Sequence, residues 1–159
     1  MMIDIKKVED KDITVAVKIY NSNADFLMHH IGKDEVDESF LRNDLKEMKA
    51  HGFSSNFVIL NGQPIGIVDY MQNDEGYVYL SLLIISKDYR NKGLGKEIYQ
   101  CFESKVCGAG ASKIRIDVVD DYESNVIPFW EKMGFNKARK DELTWGEKTS
   151  SVAVMEKNL

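Results

Sequence analysis

A nearly continuous apolar segment occupies the middle of the chain, at Tyr77–Ile85. Its β-branched, aromatic and leucine residues are typical of a buried strand. Shortly after it, apolar residues recur at helical spacing on one stripe. They are Leu94, Ile98, Cys101, Phe102 and Val106. The pattern predicts a buried strand that leads through a short turn into an amphipathic helix.

The N-terminal third predicts one strand and two helices. Residues 3–8 alternate as a strand, and Asp10 can cap a helix that follows it. The inward face of that helix consists of Ile13, Ala16, Val17 and Tyr20. A second helix is expected over residues 36–50 and ends at Gly52. Its inward residues are Phe40, Leu41, Leu45 and Met48.

Strand patterns dominate the rest of the chain. Residues 57–60 and 65–71 flank Asn61-Gly62, the strongest short hairpin signal. Lys113–Val119 should pair parallel to Tyr77–Ile85 through a right-handed crossover, and residues 135–145 and 150–157 should form a final hairpin. These elements predict a single domain over residues 1–159, built on a mixed α/β sheet with helices on both faces.

Composition narrows the class of protein. The 159 residues are 43% hydrophobic and 30% charged with only two prolines, which is an ordinary globular composition. No apolar run of about eighteen residues and no secretory signal layout is present, so we expect no membrane span. Cys101 and Cys107 are expected to be reduced, which suits the cytoplasm. The net charge of −5 argues against a nucleic-acid-binding surface.

The turn between the central strand and its helix is basic and rich in glycine. It consists of Arg90, Asn91, Lys92, Gly93, Leu94, Gly95 and Lys96. Helix starts present unpaired N–H groups and partial positive charge, so the turn can cradle a pyrophosphate. The P-loop pattern fails here because a single residue separates Gly93 from Gly95 and Glu97 follows Lys96. The dinucleotide pattern fails because Ile98 stands where it needs a third glycine, and because this turn does not open the first βα unit. The alternative is an ordinary strand–helix turn with solvated lysines.

The pattern that fits this turn is Q/R-x-x-G-x-G/A, as Arg90-x-x-Gly93-x-Gly95. In this respect the chain resembles the GNAT superfamily of acyl-CoA-dependent N-acetyltransferases, which hold the coenzyme A pyrophosphate there. The resemblance implies acetyl-CoA as co-substrate, bound by residues 90–96. It also implies a mostly antiparallel central sheet whose two parallel strands splay apart.

A second segment, residues 126–135, resembles the late helix of the same family. Ser124 or Asn125 can cap this helix, and Gly134 can end it. Two departures stand out. Trp130 replaces the Tyr often proposed to protonate the leaving thiolate, and Glu123 holds the place of the family's Asn, so that Asn125 is displaced by two positions. The resemblance still assigns Asn125 and Trp130 to the cofactor.

The splayed strands of the family hold the acyl-CoA arm between them. The resemblance therefore assigns the backbone of Leu82, Leu83 and Ile84 to the pantetheine and to the acyl carbonyl. Their N–H groups would stabilise negative charge as the thioester is attacked. For their side chains alone, burial in the core is the simpler interpretation.

The general base is harder to identify from the sequence, because the Glu that the family often has in this strand is absent from Tyr77–Ile85. Asp117 is the candidate chosen here, since its strand should adjoin the oxyanion donors. Asp69 interrupts an apolar run and either faces solvent or lines the substrate cleft. Proton loss through a water chain, without a dedicated base, stays open.

The expected function is acetyl transfer to a primary amine of a small molecule or peptide, by direct attack in a ternary complex. The alternatives are a CoA-binding regulatory module without turnover and a small-molecule binder that does not use CoA. His29 and His30 lack partners at metal-ligand spacing, so no metal is expected. The sequence does not identify the acceptor. A homodimer formed through the final hairpin is compatible with the sequence, but no motif indicates it.

Overall fold

The computed structural model describes residues 2–123 and 125–159 of the chain. The strands are β1 (Ile3–Lys7), β2 (Ser54–Leu60), β3 (Gln63–Gln72), β4 (Tyr77–Ile85), β5 (Lys113–Val119), β6 (Asn136–Trp145) and β7 (Lys148–Asn158). The α-helices are α1 (Ile13–Asn21), α2 (Ala24–Ile31), α3 (Glu38–Ala50), α4 (Leu94–Gly108) and α5 (Ile127–Lys132). Single 3₁₀ turns lie at Asp10–Asp12 and Lys87–Tyr89.

All seven strands form one sheet in the order β1-β2-β3-β4-β5-β7-β6. Only β4 and β5 are parallel, and every other neighbouring pair is antiparallel. The parallel pairing joins 77–80 to 113–116 and, within the described strands, stops at Leu80 and Ile116. This confirms the mixed, mostly antiparallel sheet and the splayed parallel pair that were expected.

Helices cover both faces of the sheet, as predicted. On one face, α4 and α5 contribute Ile98, Phe102 and Trp130 to a core with Val78 and Leu80. On the other face, α1, α2 and α3 enclose a second core. Its buried helix residues are Ile13, Ala16, Ile19, Tyr20, Leu27, Ile31 and Leu41.

A β-bulge at Ser81 interrupts β4 beside the splay. Tyr70 of β3 pairs with Leu80, whereas its neighbour Asp69 pairs with Leu82, which leaves Ser81 as the extra residue. A bulge reverses the alternation of the residues that follow it. Leu80 therefore packs under α4, whereas Leu82 packs on the opposite face. The sequence, read as one uniform buried strand, did not predict this reversal.

The N-terminal helices differ from prediction in three places. Asp10 does not cap α1, because it lies in the 3₁₀ turn before the helix and Asp12 occupies the cap position. The Asp10 carboxylate instead pairs with Arg42 at 3.0 Å. Helix α3 begins at Glu38, after Asp37 accepts a 2.7 Å hydrogen bond from the Phe40 N–H. Helix α2 was not predicted at all.

Two further predictions concern turns and caps. The Asn61-Gly62 hairpin is confirmed, with φ of 48° and 84° at its two residues. Asn125 accepts a 3.0 Å hydrogen bond from the Ile127 N–H at the start of α5, while Ser124 lies outside the described residues. Cys101 and Cys107 are free thiols. No helix in the described ranges is long and apolar enough to cross a membrane.

Candidate functional site

A cavity of about 530 Å³ lies beyond the C-terminal end of β4, and we call it the cradle cavity. It brings together most of the predicted cofactor residues. They are Leu83, Ile84, Arg90, Asn91, Gly93, Leu94, Gly95 and Trp130. Residues of α2, the residue Tyr122 and the start of α5 complete its wall.

The backbone of the turn is shaped to admit a ligand. Asn91 and Gly93 both have left-handed φ, of 60° and 74°. A Cβ placed on Gly93 would meet nothing within 4 Å, so the space above this residue is open. No described side chain caps the start of α4, which leaves its first N–H groups available. The arrangement fits an anionic group bound at a helix N-terminus.

Three cations surround this helix start. Arg90, Lys92 and Lys96 are exposed, and none of them forms an ion pair with another described residue. The Lys92 ammonium lies 5.7 Å from the centroid of the Tyr89 ring. Lys92 and Lys96 stand outside the cavity wall, and only Arg90 lines it. Mobile cations around free N–H groups suit a pyrophosphate.

Trp130 reaches the cradle cavity but belongs mainly to the core. Its ring is 7% exposed and packs edge-on against Tyr99 and Phe135, with centroid separations of 5.6 and 5.4 Å. Its neighbour Phe129 closes the cavity more directly. A Cβ on Gly95 would lie 3.2 Å from Phe129 Cε2, so this glycine permits close packing. Phe129 was not assigned a role, although the Phe of the late-helix pattern points to it.

Asn125 lies outside the cradle cavity. Its amide group donates to the Tyr122 carbonyl at 3.1 Å, and its side-chain oxygen accepts from Ile127. Through these two hydrogen bonds, Asn125 stabilises the turn that places Tyr122 at the cavity wall. The Tyr122 ring stacks on His29 of α2 at 4.0 Å. Helix α2, which the sequence did not predict, thus supplies a wall of the site. The sequence signal for this helix is Gly32, which follows its last turn with φ of 78°.

Asp117 follows the last residue of β5 that pairs with β4, and both of its oxygens accept hydrogen bonds. Arg115 donates to them from Nε at 2.8 Å and from Nη2 at 2.9 Å. Tyr79 donates a further 2.6 Å hydrogen bond. Burial, reinforced by Asp117, raises the pKa of the Tyr79 phenol, which therefore remains a donor. This carboxylate is held in a network of side chains.

A second cavity, of about 330 Å³, lies on the sheet face covered by α3, and we call it the acidic cavity. Its lining residues are Asp44, Glu47, Met48, His51, Phe53, Asp69, Tyr79, Ser81, Leu82, Leu143, Thr144 and Trp145. Three of them are carboxylic acids, and neither lysine nor arginine is among the described residues of the lining. The cavity therefore favours a cation.

Asp69 is the most buried acid of this cavity, with 3% of its surface exposed. The Tyr20 hydroxyl lies 3.5 Å from Oδ2, and Oδ1 has no hydrogen-bond partner among the described residues. Burial raises the pKa of Asp69 to about 7, although the nearby hydroxyls of Ser55 and Tyr20 favour its ionised form. Of the two positions considered for Asp69, the structure shows the one that lines a cleft.

The two cavities meet at consecutive residues of β4. Leu82 lines the acidic cavity, and Leu83 and Ile84 line the cradle cavity. Asp69 lies directly across from Leu82 in the pairing of β3 with β4. The predicted segment of residues 82–84 is therefore the boundary between the two cavities rather than one wall of a single cleft.

The site and fold can be compared with those of known proteins. The model of a family described as the acetyltransferase (GNAT) family matches residues 17–135, which is most of the chain. No curated protein matches the chain in sequence.

Many solved structures share the fold. An acetyltransferase from Thermus thermophilus has a TM-score of 0.76 at 18% identity, over 100% of this chain and 98% of that one. A spermidine N-acetyltransferase from Vibrio cholerae, in complex with CoA and spermine, has a TM-score of 0.74 at 15% identity, over 97% and 94%. The PaiA N-acetyltransferase of Thermoplasma acidophilum, in complex with coenzyme A, has a TM-score of 0.69 at 18% identity, over the whole of both chains.

Proposed function

This chain belongs to the GNAT acetyltransferase family, and from that premise we propose that it transfers an acetyl group from acetyl-CoA directly to a primary amine. The observation that carries the proposal is the parting of β4 and β5 after Leu80 and Ile116. The opening lies between a cradle with three free cations and a cavity with three acids. Two substrates of opposite charge can therefore meet at one strand from two separate cavities.

The cofactor side of the proposal rests on the cradle cavity. The N–H groups at the start of α4 would hold the pyrophosphate, with Arg90, Lys92 and Lys96 supplying positive charge. Asn91, Gly93, Leu94 and Gly95 form the backbone against which it lies. Trp130 would support the thiol arm by packing, and Asn125 would act through the turn that it stabilises.

The bond-making step takes place beside the unpaired end of β4. In the described strands, the β5-facing edge of β4 has no strand partner beyond Leu80. The N–H groups within residues 82–84 that point to this edge can therefore donate to the thioester oxygen as it gains negative charge. The amine nitrogen attacks the carbonyl carbon, the C–N bond forms and the C–S bond breaks. The thiolate recovers a proton that the amine nitrogen has lost. The Trp130 indole cannot supply one near neutral pH.

For Asp117, the general base expected from the sequence, we propose a positioning role instead. A base needs a lone pair that faces the amine, and the contacts of Asp117 with Arg115 and Tyr79 use both of its oxygens. Those contacts favour a positioning role for Asp117 and leave the role of base to another group. A single catalytic domain over residues 1–159 and a cytoplasmic location are further parts of the proposal.

Thiol release tests the proposed function. The purified protein is mixed with acetyl-CoA and a panel of primary amines, and acetylated amines are identified by mass spectrometry. We expect CoA release that depends on at least one amine and matches the acetylated product. Binding of acetyl-CoA without turnover of any amine would favour the alternative of a CoA-binding module. Absence of binding would contradict the cradle.

A further inference from the structure

Resting on the proposed function, we propose that the acidic cavity is the acceptor site. It takes a small monoamine with an apolar, preferably aromatic, body, bound as its cation. Asp69 receives the proton that this amine must lose before it attacks. The proposal assigns both a substrate class and a proton acceptor to residues of the cavity that adjoins the cradle.

Size and lining set the body of the acceptor. A volume of about 330 Å³ lies at the small end of the range for ligand sites, so the cavity suits a compact molecule. Phe53 and Tyr79 present rings 5.6 Å apart in an edge-to-face arrangement. Met48, Leu82 and Trp145 supply further apolar surface. An aromatic ring would find edge and face contacts on several sides.

Charge sets the head group. Asp44, Glu47 and Asp69 surround the cavity without a compensating lysine or arginine in the described lining. Burial raises the pKa of Asp44, and a 3.3 Å hydrogen bond from Trp145 Nε1 opposes that rise. Glu47 is exposed and stands at the rim. Because acids lie at both the rim and the base of the cavity, they attract an ammonium group from the cavity entrance to Asp69.

Asp69 provides the end point of that path. Its Oδ1 atom is buried without a hydrogen-bond partner among the described residues, and a buried acceptor left unpaired costs free energy. An ammonium donates several hydrogen bonds and can satisfy this atom. The strand register places Asp69 beside Leu82, next to the boundary with the cradle. The same carboxyl can therefore bind the head group and hold it near the thioester.

Two protons leave the amine nitrogen, and each has its own destination. The ammonium gives one proton to the Asp69 carboxylate and becomes a neutral amine. The amine attacks, and the second proton that its nitrogen loses goes to the departing thiolate. Asp69 then returns its proton to water. A carboxyl whose pKa lies near neutrality is better matched to an ammonium than an ordinary one.

Several titratable groups face Asp69. They are Tyr20 on α1, Asp44 and Glu47 on α3, His51 directly after α3, and Tyr79 on β4. Burial raises the pKa of both tyrosines, which keeps them protonated at neutral pH. His51 is exposed, and its Nδ1 contacts the Glu47 carbonyl at 2.8 Å. A pH profile of kcat must therefore distinguish an effect of Asp69 from an effect of His51. The variant His51→Gln makes that distinction.

The first test compares acceptors and variants. We expect kcat/KM to be at least tenfold higher for 2-phenylethylamine than for putrescine or for a peptide that begins with alanine. Asp69→Asn should lower kcat by about 10²–10⁴-fold, leave acetyl-CoA affinity unchanged and remove the acidic limb of the pH profile near pH 7. His51→Gln should retain that limb. Preference for the diamine or the peptide, or a loss below threefold in Asp69→Asn, would overturn the inference.

A second variant guards against misfolding of Asp69→Asn. Thr144 is exposed at the rim, and Thr144→Trp should raise KM for 2-phenylethylamine at least tenfold without changing acetyl-CoA affinity. An unchanged KM would overturn the assignment of the cavity. If no amine releases CoA, the proposed function itself fails. If a peptide is acetylated equally by wild type and Asp69→Asn, only this inference fails.

Discussion

The Tyr79 hydroxyl donates a 2.6 Å hydrogen bond to Asp117, the carboxylate that the sequence selects as general base. Arg115 donates two more hydrogen bonds to the same carboxylate, and its guanidinium lies 5.0 Å from the centroid of the Tyr79 ring. Tyr79 and Arg115 are register partners in the parallel pair, one residue before pairing ends. The three side chains therefore bind β4 to β5 where the splay begins.

This network predicts the effect of Asp117→Asn. The asparagine keeps the shape but loses the charge that compensates Arg115, so we expect unfolding to become easier by roughly 1–3 kcal/mol. We expect kcat to fall by less than tenfold. Asp10→Asn, which breaks an exposed pair with Arg42, should leave the unfolding free energy nearly unchanged. Urea denaturation and steady-state kinetics measure both effects. A fall of kcat by about 10²–10⁴-fold with intact acetyl-CoA affinity would restore Asp117 as the base.

Gly93 should matter to acetyl-CoA more than to folding. Gly93→Val and Gly110→Val both place a branched residue at left-handed φ, of 74° and 90°, where no atom lies within 4 Å of the new Cβ. Both should lose roughly 1–3 kcal/mol of stability from backbone strain. Only Gly93→Val should weaken acetyl-CoA binding, by at least tenfold in calorimetry. Arg90→Ala should weaken it by roughly 1–3 kcal/mol. Unchanged affinity in Gly93→Val and Arg90→Ala would remove the cradle assignment.

Trp130 should act through packing. Trp130→Ala removes a ring that contacts Tyr99, Phe129 and Phe135, so we expect it to cost about 3–5 kcal/mol of stability. Trp130→Tyr should leave kcat unchanged or raise it, because a phenol could protonate the leaving thiolate. Denaturation and steady-state kinetics measure the two variants. A large loss of kcat in Trp130→Tyr, with acetyl-CoA affinity intact, would reveal a role of the indole beyond packing.

Asp69 should also make stability depend on pH. Burial raises its pKa from 3.8 to about 7, so the folded protein binds this proton more tightly than the unfolded chain. Its contribution is therefore lost as pH rises from about 4 to about 7, and the loss is complete above that range. From about pH 5 to about pH 8, the unfolding free energy of Asp69→Asn should gain roughly 2–3 kcal/mol relative to that of wild type. Parallel pH profiles of unfolding free energy for the two proteins would contradict the buried carboxylate.

The local signals in the chain predict the elements that frame the site. Asn61-Gly62 fixes a hairpin through its backbone preferences, and the β-branched run at Tyr77–Ile85 has the predicted bounds. The turn at residues 90–96 could be predicted because a glycine suited to left-handed φ and the start of a helix both depend on a few neighbouring residues. Cofactor residues that follow one another along the chain could therefore be predicted.

The acceptor side could not be predicted in the same way. The bulge at Ser81 depends on pairing with Tyr70 and Asp69, which lie in another strand, and it decides which face receives Leu82. Asp69 is buried only because α1 and α3 close over it, and no local pattern shows that. The position of Asp117 near the splay could be predicted, but its hydrogen bond from Tyr79 depends on the pairing of β4 with β5, which no local pattern shows. Strands bring together residues that are distant in sequence.

The central claim is direct transfer between two substrates that occupy the two cavities meeting at β4. Initial rates measured while acetyl-CoA and 2-phenylethylamine are both varied, with CoA and acetylated amine quantified together, test it most directly. Direct transfer predicts intersecting double-reciprocal lines and equal amounts of the two products. Parallel lines, or CoA released without acetylated amine, would contradict it.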